Sequence, residues 1–237
     1  MIKRLFVVLA GTAMLAAGSA FSVTQHAEAA PGCPDVEAIF ARGTVEPGAP
    51  LGLTGAAFGE ALRNQLPSKS VNVRAVNYEA SANFNNRLAF AHSVIDGIED
   101  VQARVKSVAA KCAKTKIVLG GYSQGAAVVG YSASDGIKAL GQYARYQADV
   151  PPALSADLSR RIAAVVLFAP PSDRFLRDGG APALRVSPKV ANRTVRYCIP
   201  GDNICNGAPL AQPNGLHVLY TVNGDALRAA QYVKARV

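Results

Sequence analysis

Along most of the chain, short and nearly continuous apolar segments alternate with longer segments that suit helices. The strand-like segments, rich in β-branched and apolar residues, lie at 36–42, 71–78, 116–122, 162–169 and 194–199. The helix-like segments lie at 53–66, 87–111, 124–140 and about 224–236. Strands that alternate with helices of this length are parallel and joined by crossovers, and continuous apolar runs are typical of strands covered on both faces. The pattern predicts an α/β fold, a three-layer sandwich around a central sheet of about five parallel strands.

The N-terminal segment has a different character. Lys3 and Arg4 precede an apolar stretch that ends near Ala20, and the tripeptide Ala-Glu-Ala at 27–29 matches the small-residue signature of signal-peptide cleavage. A membrane anchor is the alternative, but the stretch is short for a spanning helix and no second one follows. We therefore predict a signal peptide over residues 1–29, export, and a single domain over 30–237.

The chain is basic, with a net charge of +9. Its Lys and Arg residues are scattered, without a dense run or interleaved aromatic residues, which argues against a nucleic-acid partner. Two explanations of the positive charge remain open. It could attract the protein to anionic lipid or cell-envelope surfaces, or it could serve only to keep the protein soluble.

Four cysteines in an exported chain indicate two disulfides, for which three connectivities are open. Cys198 and Cys205 are close enough in sequence to close one loop, which would leave Cys33 to pair with Cys112. A four-cysteine zinc site is the alternative. It is disfavoured because no C-x-x-C pair occurs and an exported protein meets an oxidising compartment.

One pentapeptide, Gly-Tyr-Ser-Gln-Gly at 121–125, points to nucleophilic chemistry. It fits the G-x-S-x-G pattern, in which a tight turn between a strand and a helix exposes the serine hydroxyl. The pattern alone occurs often by chance, but here a predicted strand precedes it and a predicted helix follows. Ligands bind beyond the carboxyl ends of the strands in open parallel sheets, so Ser123 is the candidate nucleophile.

A serine nucleophile needs a base, and histidine is the usual one because its ordinary pKa lies near 6.5. Of the three histidines, His26 belongs to the predicted signal peptide and His92 lies inside a helical segment before the serine strand. His217 lies just ahead of the last helix, where the α/β-hydrolase order of serine, acid and histidine requires it. We therefore assign His217 as the base.

The base needs a carboxylate to hold its tautomer. Two aspartates between Ser123 and His217 directly follow strand-like segments, Asp173 and Asp202. Asp173 also suits a turn or helix cap, whereas Asp202 lies in the loop that two cysteines would close, which would fix its carboxylate. We therefore favour Asp202 over Asp173. The other aspartates of this interval are Asp135, Asp149, Asp157 and Asp178.

Acyl transfer also needs donors for an oxyanion. The backbone N–H of Gln124, which follows the nucleophile, is one candidate. The loop Ala-Arg-Gly-Thr-Val-Glu-Pro-Gly at 41–48 follows the first strand, and Thr44 there offers both an N–H and a hydroxyl.

Together these motifs resemble the cutinases, most closely the secreted cutinase-like proteins of mycobacteria and related actinobacteria. The resemblance spans essentially the whole predicted mature chain. It rests on an early cysteine, "ARGT" after the first strand, "GGYSQG" at the serine, "C-x-x-x-D-x-x-C" around the aspartate and a late "H-x-x-Y". The spacing from Asp202 to His217 is slightly longer than is typical of fungal cutinases, which implies a different loop beside the acyl pocket.

The resemblance implies a catalytic set, an oxyanion hole and a disulfide framework. The catalytic residues would be Ser123, Asp202 and His217, and the oxyanion hole would be formed by Thr44 and Gln124. The implied disulfides are Cys33–Cys112 and Cys198–Cys205.

The resemblance also implies an α/β-hydrolase-like fold without a large lid and a serine esterase for carboxylic esters of short to medium acyl chains. It implies no metal or organic cofactor. Some relatives resemble phospholipases, lipases or thioesterases, and a non-catalytic envelope-binding protein is the alternative from another class. We expect a monomer whose partner is an ester or lipid substrate, with peripheral contact to the envelope or to anionic lipid left open.

Overall fold

The computed structural model describes residues 32–237, apart from the side chain of Gln142, and the predicted signal peptide lies outside the described residues. The strands are β1 Val36–Ala41, β2 Val71–Ala75, β3 Lys116–Tyr122, β4 Ile162–Phe168 and β5 Thr194–Tyr197. The helices are α1 Leu53–Gln65, α2 Arg87–Lys111, α3 Gln124–Ser132, α4 Ala156–Arg161, α5 Asp173–Asp178, α6 Pro188–Ala191 and α7 Asp225–Lys234. Two 3₁₀ segments cover Gly141–Asp149 and Gly215–Thr221.

The five strands form one parallel sheet in the order β2-β1-β3-β4-β5. The strand that precedes the candidate serine therefore lies at the centre of the sheet. At its carboxyl end Gly121 is in register with Ala41 of β1, and Tyr122 with Phe168 of β4. The predicted parallel sheet of five strands is confirmed.

Helices cover both faces of the sheet, so the core is divided into two layers. Ile39 and Phe40 are neighbours on β1 but belong to different buried clusters, because successive strand side chains point to opposite faces. The Ile39 cluster packs against α2 and α3, and the Phe40 cluster packs against α1 and α7. In the second layer the rings of Phe40, Phe58 and Phe168 lie 5.8 to 6.3 Å apart. Each such fully buried side chain stabilises the fold by roughly 1.5 to 3 kcal/mol. The predicted three-layer sandwich is confirmed.

The helix after the serine is shorter than predicted, since α3 ends at Ser132 rather than at residue 140. The hydroxyl of Ser134 donates to the carbonyl of Tyr131, and the Gly136 N–H donates to the Ser134 oxygen. These side-chain bonds replace the helical pattern, as is typical of small polar residues. No helix in residues 32–237 combines the length and apolar character needed to cross a bilayer.

Two short helices lie between β4 and β5, where the sequence shows no clear period. Each is capped by the serine that precedes it, Ser172 for α5 and Ser187 for α6, whose side chain accepts a backbone N–H of the first turn. Helices of one or two turns leave too few apolar positions for a period to be visible.

Candidate active site

Ser123 lies between β3 and α3 in a strained backbone conformation, with φ 53° and ψ −117°. The glycines on either side are required by close packing. A Cβ on Gly121 would lie 2.2 Å from the carbonyl oxygen of Gly125, and a Cβ on Gly125 would lie 2.0 Å from the carbonyl oxygen of Ala41. Glycine at both positions therefore lets α3 begin directly against the end of β1, and Ser123 is held clear of the sheet.

Replacing Gly125 with alanine tests this packing. Alanine normally stabilises a helix relative to glycine by about 1 kcal/mol, but here the added methyl meets backbone atoms that side-chain rotation cannot move. We expect Gly125→Ala to lower the free energy of unfolding by about 3 kcal/mol or more. Denaturant unfolding measures this loss. The matched control is Gly215→Ala, because an added Cβ there has no neighbour within 4 Å. Equal unfolding midpoints for the two variants would contradict the packing argument.

Three predicted residues form a continuous chain of hydrogen bonds beyond the carboxyl end of the sheet. His217 Nε2 lies 2.9 Å from Ser123 Oγ, and His217 Nδ1 lies 3.0 Å from both carboxylate oxygens of Asp202. His217 is 3% exposed and Asp202 0% exposed, whereas Ser123 is half-buried. An imidazole held in this way can accept the serine proton through Nε2 while the carboxylate stabilises the resulting charge.

The Asp202 carboxylate has further donors. The Ile204 N–H donates to Oδ1 over 3.0 Å, and the Tyr220 hydroxyl donates to Oδ2 over 2.8 Å. Burial alone would raise the pKa of Asp202. The hydrogen bonds from His217, Ile204 and Tyr220 outweigh that effect and hold its pKa below the ordinary value. The Asp202 carboxylate is therefore ionised near neutral pH, where it can stabilise a positive charge on the imidazole.

Both predicted disulfides are formed in the structure. Cys198–Cys205 closes the short loop that carries Asp202, and Cys33–Cys112 joins the start of the domain to the end of α2.

Two tyrosines support the site, and sequence reasoning did not assign either a role. The Tyr220 hydroxyl accepts a 2.8 Å bond from the Ile199 N–H while it donates to Asp202. Burial raises the pKa of Tyr220, so the hydroxyl remains a donor. The Tyr122 hydroxyl donates to the His217 carbonyl over 2.7 Å. The late H-x-x-Y motif was the available signal for Tyr220, whereas nothing in the sequence pairs Tyr122 with His217.

The loop after β1 lies beside the serine, as predicted. The Thr44 hydroxyl donates to Gln124 Oε1 over 3.1 Å, while Gln124 Nε2 is buried without a partner among the described residues. Within residues 32–237 the backbone N–H groups of Thr44 and Gln124 have no acceptor. Two backbone donors beside Ser123 could thus bind an oxygen that develops negative charge.

Glu46 holds this loop in place and was also missed by sequence reasoning. One of its carboxylate oxygens accepts the Gly43 N–H over 2.8 Å, and the other accepts the Thr54 N–H over 2.7 Å. Glu46 therefore ties the Thr44 loop to the first turn of α1.

The other candidates are held elsewhere. Asp173, on α5, pairs with Arg185 through contacts of 2.6 and 2.7 Å. His92 is half-exposed, and its Nε2 lies 3.9 Å from a carboxylate oxygen of Asp149. Within the described residues 32–237, no three His, Cys, Asp or Glu side chains are grouped as a metal ion would require.

Comparisons with known proteins agree with this architecture. The Cutinase family model matches residues 32–237. A probable carboxylesterase of Mycobacterium tuberculosis, Culp7, is 39% identical over 176 residues, covering 73% of this chain and 89% of the relative. The M. tuberculosis phospholipase Culp4 is 37% identical over 209 residues, covering 88% of this chain and 81% of the relative. The structure of a Trichoderma reesei cutinase with a C11Y4 phosphonate inhibitor superimposes with a TM-score of 0.61 at 33% identity, covering 85% of this chain and 75% of that chain.

Proposed function

This chain belongs to the cutinase family and is a carboxylic ester hydrolase, and on that basis we propose that it is a serine esterase with Ser123, His217 and Asp202 as its catalytic triad. The observation that carries the proposal is the unbroken hydrogen-bond chain from Ser123 Oγ through both ring nitrogens of His217 to Asp202.

The geometry supports a two-step reaction. His217 Nε2 takes the proton of Ser123 as Oγ attacks the ester carbonyl carbon. The tetrahedral intermediate collapses when His217 returns that proton to the departing alcohol, which leaves an acyl-enzyme. His217 then takes a proton from water as the water oxygen attacks the acyl carbon. The bond between that carbon and Ser123 Oγ breaks as His217 returns the proton to Oγ, which releases the acid and restores Ser123.

The oxyanion is proposed to bind the N–H groups of Gln124 and Thr44. In the structure the Thr44 hydroxyl donates to Gln124 Oε1, so that its hydrogen points away from the oxyanion position. If the Gln124 side-chain amide rotates by half a turn, Nε2 becomes the donor to Thr44 Oγ1. That rotation would satisfy the buried Nε2 and free the Thr44 hydroxyl to serve as a third donor.

Exposed apolar side chains close in sequence to His217 and Thr44 support an acyl substrate. Val218 and Val222 follow His217 and are 66% and 76% exposed, and Val45 beside Thr44 is 71% exposed. We infer that these exposed side chains form an apolar rim beside Ser123, which would suit esters of short to medium acyl chains. The same rim and the name of Culp4 favour a phospholipid ester as the second candidate substrate.

A fluorophosphonate probe tests the proposed chemistry, because it reacts covalently only with an activated serine. We expect mass spectrometry of the oxidised, folded protein to find the adduct on Ser123. Absence of labelling would favour a non-catalytic envelope-binding protein. Rates on p-nitrophenyl esters from acetate to palmitate, compared with rates on phosphatidylcholine, then distinguish the two substrate classes.

Replacing Tyr220 with phenylalanine removes one hydrogen bond and leaves the ring in place. The Asp202 carboxylate would lose a donor and hold the protonated imidazole more tightly. We therefore expect the acidic limb of the kcat/KM profile to move to higher pH, with kcat reduced by roughly tenfold. A merely structural role would lower activity without moving that limb. The control is Tyr232→Phe on α7, because the Tyr232 hydroxyl forms no hydrogen bond within residues 32–237.

We also propose that residues 1–29 are a signal peptide and that residues 30–237 form the exported domain. Two disulfides in the structure support an oxidising destination. N-terminal sequencing of protein recovered from culture medium should begin at Ala30. Recovery only from the cytosol, with Met1 retained, would contradict the proposal.

A further inference from the structure

A cleft of about 310 Å³ lies at the amino ends of β3 and β4. Six cationic side chains line it, and we refer to it as the basic cleft. They come from the turn before β3, the end of α4, the loop before β5 and the C-terminal end of the chain: Lys114, Lys116, Arg160, Arg161, Arg193 and Arg236.

Carboxylates neutralise little of the positive charge of the basic cleft within residues 32–237. Within residues 32–237, Arg160 pairs with Asp157, and the other five cations form no ion pair with a carboxylate. The Arg160 and Asp157 side chains are 69% and 83% exposed, so their attraction is screened by water. Like charges gathered around a concave surface repel one another and raise the local concentration of anions.

Two of the arginines are held rigidly. Arg161 donates to the carbonyls of Cys112 and Thr115 over 2.9 and 3.2 Å. Arg193 donates to the carbonyls of Ile162 and Lys189, each over 2.5 Å. Because these bonds fix the two guanidinium groups, an anion that enters the cleft meets positive charge that is already ordered.

The two lysines are free to complete a site. Lys114 and Lys116 are exposed and form no ion pair within residues 32–237. Each ammonium group has three donors on a flexible stem. They could close over an anion that the fixed arginines attract.

The basic cleft is remote from the candidate active site. Lys116 begins β3 and Ser123 follows its last residue, and a strand of this length separates its ends by roughly 20 Å. The cleft therefore takes no part in ester hydrolysis, and its ligand is distinct from the acyl substrate.

We propose that the basic cleft binds the phosphate group of an anionic ligand. A phosphate offers several oxygens and up to two negative charges, which suit the fixed positive charge of Arg161 and Arg193 and the free N–H donors of the Lys114 and Lys116 ammonium groups. The volume of the cleft is larger than one phosphate needs, so a substituent such as a lipid glycerol would also fit. The cleft and Ser123 lie at opposite ends of β3. A phosphate-bearing surface bound at the cleft would therefore leave the active site facing away from that surface.

The test compares wild type with a pocket variant, Lys114→Ala with Lys116→Ala, and with a control variant, Lys106→Ala with Lys138→Ala. Both variants remove two exposed positive charges, and the control residues do not line the cleft. Inorganic phosphate is titrated by calorimetry at constant ionic strength, with chloride as the balancing anion. Vesicles of phosphatidylcholine, with and without phosphatidylglycerol, are tested by co-sedimentation.

We expect the pocket variant to bind phosphate at least about tenfold more weakly than wild type. The control variant should bind like wild type, and all three proteins should hydrolyse p-nitrophenyl butyrate at equal rates. Selective loss with inorganic phosphate identifies a soluble phosphate ligand. Selective loss with phosphatidylglycerol vesicles alone identifies a lipid headgroup. Equal weakening in both variants, or no binding of either probe by wild type, would overturn the proposal.

Discussion

Replacing Ser123 with alanine is expected to abolish ester hydrolysis, with kcat reduced by about a millionfold. Without Oγ there is no atom 2.9 Å from His217 Nε2 that can attack the carbonyl and carry the acyl group. Any remaining rate would come from water in a site that still binds the substrate and the oxyanion. Hydrolysis of p-nitrophenyl butyrate by wild type and variant, oxidised in the same way, measures the loss.

The variant should keep its fold, since alanine adds no atom to the turn. Its unfolding midpoint should therefore remain close to that of wild type. Ser107→Ala, an exposed substitution in α2, is the matched control and should retain full activity. If Ser123→Ala kept more than one per cent of the wild-type rate, Ser123 would not be the nucleophile.

Asp202→Asn should have the second largest effect, reducing kcat by about ten-thousandfold. In wild type, the Ile204 N–H and the Tyr220 hydroxyl each donate to one carboxylate oxygen. The asparagine amide can keep its oxygen towards Ile204 only by turning its NH₂ towards Tyr220 and His217. His217 Nδ1 would then have to accept, which moves its proton to Nε2 and leaves no base for Ser123.

The dependence of stability on pH provides an independent measurement on the same variant. The pKa of Asp202 is lower in the folded protein than its ordinary value. Its ionised form therefore stabilises the fold above the ordinary pKa of about 4, and that contribution is lost as pH falls through the lower folded value. The wild-type advantage over Asp202→Asn in urea unfolding should thus shrink between pH 7 and pH 3. An unchanged difference would contradict the hydrogen-bonded, ionised carboxylate.

The elements were predictable because their signals are local. Segments rich in β-branched and apolar residues predicted all five strands, and helix-like composition predicted α1, α2 and α7 to within two residues at each end. The end of α3 and the short helices α5 and α6 were not predicted. They depend on single side-chain bonds, such as Ser134 to Tyr131, that leave no periodic pattern.

The candidate site was partly predictable for a different reason. Chain order and the scarcity of histidine singled out His217, and the flanking cysteines singled out Asp202. The structure brings both to Ser123, although their catalytic roles stay predictions. Glu46 and Tyr122 could not be assigned, because each acts through backbone groups that only folding brings near.

The amino-acid sequence by itself thus determined the class of fold, the family and the residues that could carry ester chemistry, since local pattern and motif encode them. Only the tertiary structure decided how three further residues position the site: Tyr220 donates to Asp202, Tyr122 donates to the His217 carbonyl, and Glu46 accepts the Gly43 N–H. It alone revealed the basic cleft, because cations that are scattered along the sequence meet where β3 and β4 begin, at the amino-terminal end of the sheet. In a parallel sheet, the amino ends of strands that are far apart in sequence lie side by side, and no local sequence pattern indicates which residues meet there.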